Sequence, residues 1–382
     1  MNVLCVGGGS GGHVTPVLAV INELKKLDPT LQATFVCDRG FEAQSRGLMS
    51  HATVPVAVHV ISAGKLRRYH GIPLWKQLLD LPTVVKNIRD IAYIGVGFLQ
   101  SIYLLKRINP DVIFAKGGYV CLPLGYAAKL LRIPFVIHDS DTRPGLTNKL
   151  LSKFAIKIAT GSPLENYSYP AEKSVYTGVP IDSAFHPFSK EEQTKAKHSI
   201  GIVDLNKPLV VVTGGGLGAR SINTGVTSIA KKLLNDGFSI YHVTGKKHIE
   251  DVRKRAVEHP DYHVVDFVYK DMATVLGAAD IVVSRGSATF LQELAALAKP
   301  VVIVAASHLG DQLKNAEVYR KSQAAYVIDD AKITDGNALY TALTTWKSDK
   351  DASIAMTERF HEFARPEAAV DVAELVLGAG KK

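Results

Sequence analysis

The chain is poor in cysteine, with only Cys5, Cys37 and Cys121 among its 382 residues. Each lies in an apolar context without the spacing of a metal site, so we expect buried free thiols and a reducing compartment. No run of about 18 uncharged apolar residues occurs, and therefore no transmembrane helix is expected. The opening MNVLCV passes at once into glycines, which predicts no signal peptide.

Acidic residues are also fewer than basic ones, 36 against 45, which leaves a net charge of +9 and favours an anionic partner. No low-complexity basic tail or recognition motif accompanies this charge, so nucleic acid is not the expected partner. Five residues form a basic and aromatic cluster that suits anionic lipid headgroups: Lys65, Arg67, Arg68, Tyr69 and Trp75. A solvated helical face, or ordinary packing of the aromatic side chains, remains the alternative.

The chain does contain the same glycine-rich device twice. The strand-like NVLCV at 2–6 is followed by GGGSGG, and LVVVT at 209–213 is followed by GGGLG. Glycines let a strand turn sharply into a helix and let backbone N–H groups approach an anion at the helix N-terminus. Neither loop ends in GK[ST], so a P-loop is not expected. The repetition predicts two similar α/β domains facing a shared cleft, an arrangement suited to joining two phosphorylated substrates.

Strands and helices alternate along the whole chain, which predicts an α/β protein with parallel sheets. Predicted strands lie near 2–6, 33–37, 54–60, 111–115, 134–138, 209–213, 239–243, 263–267, 280–284 and 301–304. The predicted domains are 1–167 and 168–362, and a last helix in 363–382 is expected to return to the first domain. An NAD enzyme is one interpretation, because Asp38 ends the second strand where a ribose-binding acid would lie.

Further motifs follow the predicted strands at the sheet edge where ligands bind in open parallel sheets. The first half has Lys116-Gly-Gly-Tyr-Val and then His138-Asp-Ser-Asp, and the second half has Ser284-Arg-Gly-Ser-Ala. A small-residue turn at a helix N-terminus can hold a diphosphate. Glu293, about two turns into that helix, can accept hydrogen bonds from ribose hydroxyls.

The sequence resembles the MurG glycosyltransferases, which transfer N-acetylglucosamine from UDP-N-acetylglucosamine to lipid I and so make lipid II. The resemblance rests on seven motifs in the family's order: GGGSGGHVTP (7–16), GGYV (117–120), HDSDTRPGLTNK (138–149), TGVP (177–180), GGGLGARSIN (214–223), SRGSA…E (284–293) and DQLKNA (311–316). It implies a GT-B fold of two Rossmann-like domains and an inverting transfer without a metal or other cofactor. It also implies a peripheral enzyme on the cytoplasmic face of the membrane, with other wall-synthesis proteins as further expected partners.

The resemblance places the polyprenyl-diphosphate-linked acceptor in the first domain. His13 matches the family's histidine after the first loop, and an imidazole suits the role of general base. The catalytic candidates are His13, Asp139 and Asp141. The acceptor-binding candidates are Gly8, Gly9, Ser10, Gly11, Gly12, Gly117, Gly118, Tyr119, His138 and Asn148.

The same resemblance places the UDP-sugar in the second domain. Ser287 and Ala288 would bind the phosphates through backbone N–H groups, Glu293 would hold the ribose, and the backbone of Val268 would recognise uracil. Gln312 and Asn315 would reach the sugar hydroxyls from one helix face. The remaining donor-binding candidates are Gly215, Gly216, Gly218, Arg220 and Arg285.

Two segments depart from the family's pattern and leave alternatives open. His138-Asp-Ser-Asp stands where the family has His-Glu-Gln-Asn, which adds a negative charge and also matches the Asp-x-Asp of metal-dependent transferases. Arg-Gly-Ser-Ala-Thr-Phe stands where the family more often has Arg-Ser-Gly-Ala. The alternatives are a related transferase with another acceptor or sugar, a UDP-N-acetylglucosamine 2-epimerase, and a non-catalytic scaffold for wall enzymes.

Overall fold

The computed structural model describes residues 1–8, 11–65, 80–268, 271–306 and 309–381. Within these residues the chain divides into two compact units. The first comprises Met1–Asp182 together with Glu367–Lys382, and the second comprises Ser183–Pro366. Each unit has its own parallel sheet and its own hydrophobic core.

The sheet of the first unit has seven parallel strands in the order β3-β2-β1-β4-β5-β6-β7. The strands are β1 (Asn2–Val6), β2 (Gln32–Asp38), β3 (Val56–Ile61), β4 (Val112–Ala115), β5 (Phe135–Asp139), β6 (Lys157–Thr160) and β7 (Ser174–Tyr176). The strand order reverses between β1 and β4, and the crevice outside their carboxyl ends is the usual ligand site of such sheets.

Helices cover both faces of this sheet. They are α1 (Thr15–Leu27), α2 (Glu42–Met49), α3 (Leu81–Ile108), α4 (Cys121–Leu131), α5 (Leu146–Leu151) and, from the end of the chain, a helix at Ala368–Gly380. Val3 and Cys5 of β1 face a core that includes side chains of α1 and the C-terminal helix, whereas Leu4 and Val6 face one that includes α4. Burial on both faces explains why Val3–Val6 of β1 is a continuous apolar run rather than an alternating one.

The second unit has a six-stranded parallel sheet in the order β10-β9-β8-β11-β12-β13. Its strands are β8 (Leu209–Thr213), β9 (Ser239–Val243), β10 (Tyr262–Val265), β11 (Ile281–Arg285), β12 (Val301–Ala305) and β13 (Tyr326–Asp329). Its helices are α6 (Lys190–Ser199), α7 (Arg220–Asn235), α8 (Ile249–Arg255), α9 (Met272–Ala278), α10 (Ala288–Ala296), α11 (Gly310–Lys321), α12 (Asn337–Ser348) and α13 (Lys350–His361). The C-terminal helix of the first unit is α14.

The predicted α/β class and the ten predicted strands agree with the structure, whereas β6, β7 and β13 were missed. The first unit extends past the expected limit of 167 because β7 pairs with β6 in the same sheet. The second division falls after Pro366 rather than after 362. Val372, Ala373 and Val376 of α14 belong to the core of the first sheet, as expected for the last helix.

Helix α3 bears on the expectation of no membrane-spanning segment. Among the described residues it is the one helix whose length and composition alone would allow it to cross a membrane. It nevertheless packs closely on the first unit: a Cβ on Gly97 would lie 1.9 Å from the Ser62 carbonyl oxygen. Asp80 caps its N-terminus, accepting from the Thr83 N–H, and Asn109 ends it in the left-handed conformation.

Candidate functional site

Two glycine turns of the first unit meet at the point where the strand order reverses. Gly118, after β4, has a positive φ of 86°, and a Cβ there would lie 2.3 Å from the carbonyl oxygen of Gly8 after β1. The same position would be 3.5 Å from Cδ2 of His13. Only glycine permits this approach, and it brings three of the predicted acceptor-site residues together.

Unpartnered polar atoms gather around these turns. Six buried side-chain nitrogen or oxygen atoms of the described residues have no hydrogen-bond partner, and four of them belong to His13, Asp38, His138 and Asn148. Native proteins leave few such atoms, because each costs the full desolvation of its group. Four in one neighbourhood indicate a place where a polar ligand completes the hydrogen bonding.

The groups that do have partners fix the shape of this site. His138 Nε2 donates to the Gly178 carbonyl at 2.8 Å, so its unpartnered Nδ1 is an acceptor. Asn148 donates through Nδ2 to the His138 carbonyl at 2.9 Å. The Tyr119 hydroxyl donates to Asp38 at 2.8 Å. Asp38, which would bind ribose in an NAD enzyme, is therefore hydrogen-bonded to a tyrosine.

Buried charges distinguish this site from an ordinary sheet edge. Lys116, at the end of β4, is 1% exposed and its Nζ donates to the Ser140 hydroxyl. Burial lowers the pKa of Lys116 to about 8, and the Asp139 and Asp141 carboxylates oppose that shift. Burial, reinforced by the Lys116 ammonium, lowers the pKa of His13 to about 3. His13 is therefore a neutral imidazole and a weak proton acceptor at neutral pH.

Asp139 has the opposite character. It ends β5 and is 5% exposed, and burial raises its pKa to about 6 although hydrogen bonds from Tyr169 and Gly145 act against the shift. Its Oδ2 accepts from the Tyr169 hydroxyl at 2.6 Å and from the Gly145 N–H at 3.0 Å. A carboxyl with this pKa is poised to exchange a proton near neutrality.

Tyr167 and Tyr169 were not singled out from the sequence. They lie between β6 and β7, in the segment LENYSYP (164–170) that contains the predicted domain boundary at 167. Their rings stack with centroids 5.5 Å apart, and Tyr167 donates to the Asp141 carbonyl at 2.7 Å. The only signal available in the sequence was an aromatic pair in an otherwise polar loop.

The other predicted acceptor residues are less informative. Gly11 and Gly12 form the short 3-10 helix that leads into α1 with His13. Gly117 has a positive φ of 104° and lies against the Asn148 amide. Gly9 and Ser10 fall outside the described residues.

The glycine turn of the second unit joins β8 to α7. Gly215 and Gly218 have positive φ values of 78° and 74°, and the Gly218 N–H donates to the Gly215 carbonyl at 2.9 Å. Gly215, Gly216 and Arg220 are exposed, whereas Gly218 packs against the Thr244 carbonyl. The predicted turn thus forms, with its outer backbone open to solvent.

A second turn, between β11 and α10, is locked onto helix α11. Arg285 donates through Nε to the Gln312 side-chain oxygen at 3.0 Å, and Asn315 donates through Nδ2 to the Gly286 carbonyl at 3.0 Å. A Cβ on Gly286 would lie 2.4 Å from the Gln312 backbone oxygen. Glycine at 286, where the family more often has serine, thus allows α11 to approach this turn.

The turn ends at a helix N-terminus of the kind that binds anions. Ser287 is the N-cap of α10 but its side chain makes no capping hydrogen bond. The first N–H groups of α10 have no partner within the helix, and the helix dipole is positive at this end. Glu293, further along α10, is 9% exposed and so does not lie on a solvated face, and Val268 follows Phe267 after β10.

Two further expectations concern a membrane surface and a metal ion. Lys65 is exposed, and the predicted membrane residues Arg67, Arg68, Tyr69 and Trp75 fall outside the described residues. No group of three or more histidine, cysteine, aspartate or glutamate side chains suited to a metal ion occurs in the part of the chain that the structure describes.

Two Rossmann-like units with glycine turns at their sheet edges make up a GT-B fold. The chain belongs to glycosyltransferase family 28: the N-terminal domain model of that family matches residues 3–160 and the C-terminal domain model matches residues 209–372. Both halves of the family therefore occur in one chain and in order.

Curated relatives match over most or all of the chain. A Listeria monocytogenes serotype 4a protein is 34% identical over 387 residues, covering 100% of both chains. A Clostridium kluyveri protein is 33% identical over 339 residues, covering 87% of each. Both are named UDP-N-acetylglucosamine–N-acetylmuramyl-(pentapeptide) pyrophosphoryl-undecaprenol N-acetylglucosamine transferase.

Solved structures agree on the fold. MurG of Acinetobacter baumannii matches with a TM-score of 0.69 at 23% identity, covering 99% of each chain. A UDP-GlcNAc 2-epimerase of Neisseria meningitidis, bound to UDP-GlcNAc, matches with a TM-score of 0.71 at 14% identity, covering 99% of this chain and 100% of that one. Because a transferase and an epimerase fit equally well, fold alone does not separate these activities.

Proposed function

We propose that this protein is an inverting transferase that moves N-acetylglucosamine from UDP-N-acetylglucosamine to the C4 hydroxyl of the muramyl sugar of lipid I. The observation that carries the proposal is the full-length identity of 33–34% to relatives that bear this name. The product would be lipid II, the precursor of peptidoglycan, and no metal would be required.

The second unit supports the donor half of this proposal. The N-terminus of α10 suits the UDP diphosphate, since backbone N–H groups and the helix dipole both favour an anion there. Glu293 would accept hydrogen bonds from the ribose hydroxyls. Gln312, whose oxygen is engaged by Arg285, would present its amide N–H groups to a sugar hydroxyl.

The first unit supports the acceptor half. The acceptor oxygen attacks C1 of the sugar while the bond from C1 to the UDP oxygen breaks. The electron pair of that bond leaves with UDP, and the hydroxyl proton passes to a base. We assign that base to Asp139, because a general base works best when its pKa lies near the working pH. His13, neutral at that pH, would accept a hydrogen bond from the acceptor at its unpartnered Nδ1.

The direct test measures labelled sugar passing from UDP-N-acetylglucosamine to lipid I in the presence of EDTA. Lipid-linked product supports the transfer and its independence of metal. Conversion of the donor to UDP-N-acetylmannosamine, with no lipid product, would instead support the epimerase. Binding of UDP without either product would overturn both activities and favour a scaffold.

Helix α3 supports peripheral binding to an anionic membrane. Of the fourteen exposed large hydrophobic side chains among the described residues, eight lie on α3: Leu81, Val85, Ile88, Ile91, Tyr93, Val96, Leu99 and Tyr103. Most of them lie three or four residues apart, so they share one face over about 33 Å, at 1.5 Å per residue. A soluble helix normally turns such a face toward the core.

The polar residues of α3 also favour binding to an anionic membrane. Its one acid, Asp90, is buried and paired with Arg89 at 3.0 Å, so the exposed surface of α3 carries Lys86, Arg89, Lys106 and Arg107 without an exposed carboxylate. Asp90 compensates the charge of Arg89, so an attraction of about 1 kcal/mol per well-placed base amounts to about 3 kcal/mol for Lys86, Lys106 and Arg107. An antiparallel second copy would bring the bases of one α3 against those of the other. Their repulsion disfavours a dimer through this face.

Vesicle sedimentation tests this surface. The Ile88→Glu/Leu99→Glu double variant should lose most binding to vesicles rich in anionic lipid, whereas Ile354→Glu, a comparably exposed position in the second unit, should bind like the parent protein. Binding should fall with salt and be weak on neutral vesicles. Unchanged binding of the double variant would refute docking through α3.

A further inference from the structure

The segment between β6 and β7 contacts the acceptor-side site through two tyrosines with different partners. Tyr169 donates to the carboxylate of Asp139 at 2.6 Å, whereas Tyr167 donates to backbone carbonyls, at 2.7 Å to Asp141 and at 3.4 Å to Asp139. The two rings stack with an interplanar angle of 13°. One hydroxyl therefore acts on a titratable group and the other on the main chain.

The contact with Tyr169 distinguishes the two oxygens of the Asp139 carboxylate. Oδ2 receives two donors, the Tyr169 hydroxyl and the Gly145 N–H. Oδ1 has no hydrogen bond among the described residues that the structure records. A carboxylate held in this way by one oxygen has a fixed plane, and the other oxygen remains for a proton or a ligand hydroxyl.

We propose that Tyr169 is a positioning residue, which orients the Asp139 carboxylate through Oδ2 and stabilises its ionised form so that Oδ1 receives the acceptor proton. This inference rests on the proposed transfer, in which Asp139 is the base. Tyr167 supports the backbone of the same turn and has no direct effect on the carboxylate.

Several charged or titratable groups surround Asp139, and the test must separate Tyr169 from them. Lys116 reaches from β4, Asp141 and His138 flank Asp139 in sequence, and His13 and Tyr167 come from other elements. Burial raises the pKa of Asp139, and Asp141 adds to this rise. Lys116 and Tyr169 act against it. Replacing Tyr169 by phenylalanine changes one of these influences and leaves the others in place.

The experiment compares Tyr169→Phe with the matched control Tyr167→Phe. Aspartate labelled with ¹³C at the side-chain carboxyl is titrated by NMR without substrate, and Asp139→Asn assigns the signal. The parent midpoint is expected near pH 6. Loss of a hydrogen bond to the charged form should raise it by about one to two pH units in Tyr169→Phe. Tyr167→Phe should leave it unchanged.

Turnover against pH supplies the second measurement. The acidic limb of kcat/KM should move upward with the midpoint in Tyr169→Phe, so activity falls about 5- to 50-fold at pH 6 and recovers above pH 8. An unchanged Asp139 titration in Tyr169→Phe, or an equal shift in Tyr167→Phe, overturns the inference. If the Asp139 titration shifts but the pH profile of the rate does not, Asp139 is not the base and the effect of Tyr169 on catalysis is refuted. Tyr169 would then still control the carboxylate.

Discussion

Replacing Gly286 by alanine should damage donor binding by separating the β11–α10 turn from α11. The added Cβ would lie 2.4 Å from the Gln312 backbone oxygen, and ordinary contact begins near 3.4 Å. Because a backbone atom cannot rotate away, the turn or α11 must retreat by about 1 Å. The move strains two hydrogen bonds of 3.0 Å, from Arg285 to Gln312 and from Asn315 to Gly286.

The magnitude follows from these contacts. Overpacking of this kind typically costs about 1–3 kcal/mol, and each displaced hydrogen bond about 0.5–1.5 kcal/mol. In a unit of this size, the overpacking alone lowers Tm by about 2–12 °C. A displacement of about 1 Å can also weaken a positioned site by about 100-fold, so KM for the UDP-sugar should rise by about 10- to 100-fold.

Calorimetry with UDP and steady-state kinetics at fixed acceptor measure these effects. Gly310→Ala is the matched control, because Gly310 begins the same helix and a Cβ there meets nothing within 4 Å. It should fold and bind UDP like the parent protein. Parent-like Tm and donor affinity in Gly286→Ala would refute the argument that close approach of α11 builds this turn.

Three further outcomes are expected. His13→Ala should lower turnover far more than UDP affinity, because His13 lies in the other unit from the donor turns; a mainly weakened UDP affinity in calorimetry would contradict this. Glu293→Ala should weaken UDP binding by about 1–3 kcal/mol through lost ribose hydrogen bonds, and uridine monophosphate should show the same loss while inorganic diphosphate does not. Burial lowers the pKa of His242 to about 3, so its protonation favours the unfolded state and stability is lost as the pH falls from 6.5 toward 3. His242→Gln should reduce the slope of the unfolding free energy in that window by about 1.4 kcal/mol per pH unit, and urea unfolding at pH 6, 5 and 4 would show whether it does.

Much of the fold could be predicted because β1, β8 and β12 are short apolar runs between glycine turns and amphipathic helices. The strands that were missed, β6, β7 and β13, have only four, three and four residues. Strands this short at or near a sheet edge carry little periodic pattern, and their pairing depends on neighbours already in the sheet. Because β7 follows the LENYSYP segment (164–170) and pairs with β6, the first unit continues beyond that segment.

The candidate site divides in a similar way. Glycine turns, the helix N-terminus at Ser287 and the acid Glu293 are local patterns, and each could be predicted from residue type and spacing. The engagement of Gln312 by Arg285 could not, because it joins a strand end to a helix 27 residues later. Nor could the outward apolar face of α3, since a periodic pattern does not reveal which side of a helix packs.

The sequence by itself determined the α/β class, the repeated glycine turns and the family, because these depend on local backbone preferences and on motif order. Tertiary structure alone decided the chemistry of the acceptor-side groups. His13 was expected to be a base, yet burial beside Lys116 makes it a weak one, whereas Asp139 acquires a pKa of about 6 among Tyr169, Gly145 and Lys116. Proton affinity depends on desolvation and on charges brought together from distant parts of the chain, and no sequence spacing encodes that environment.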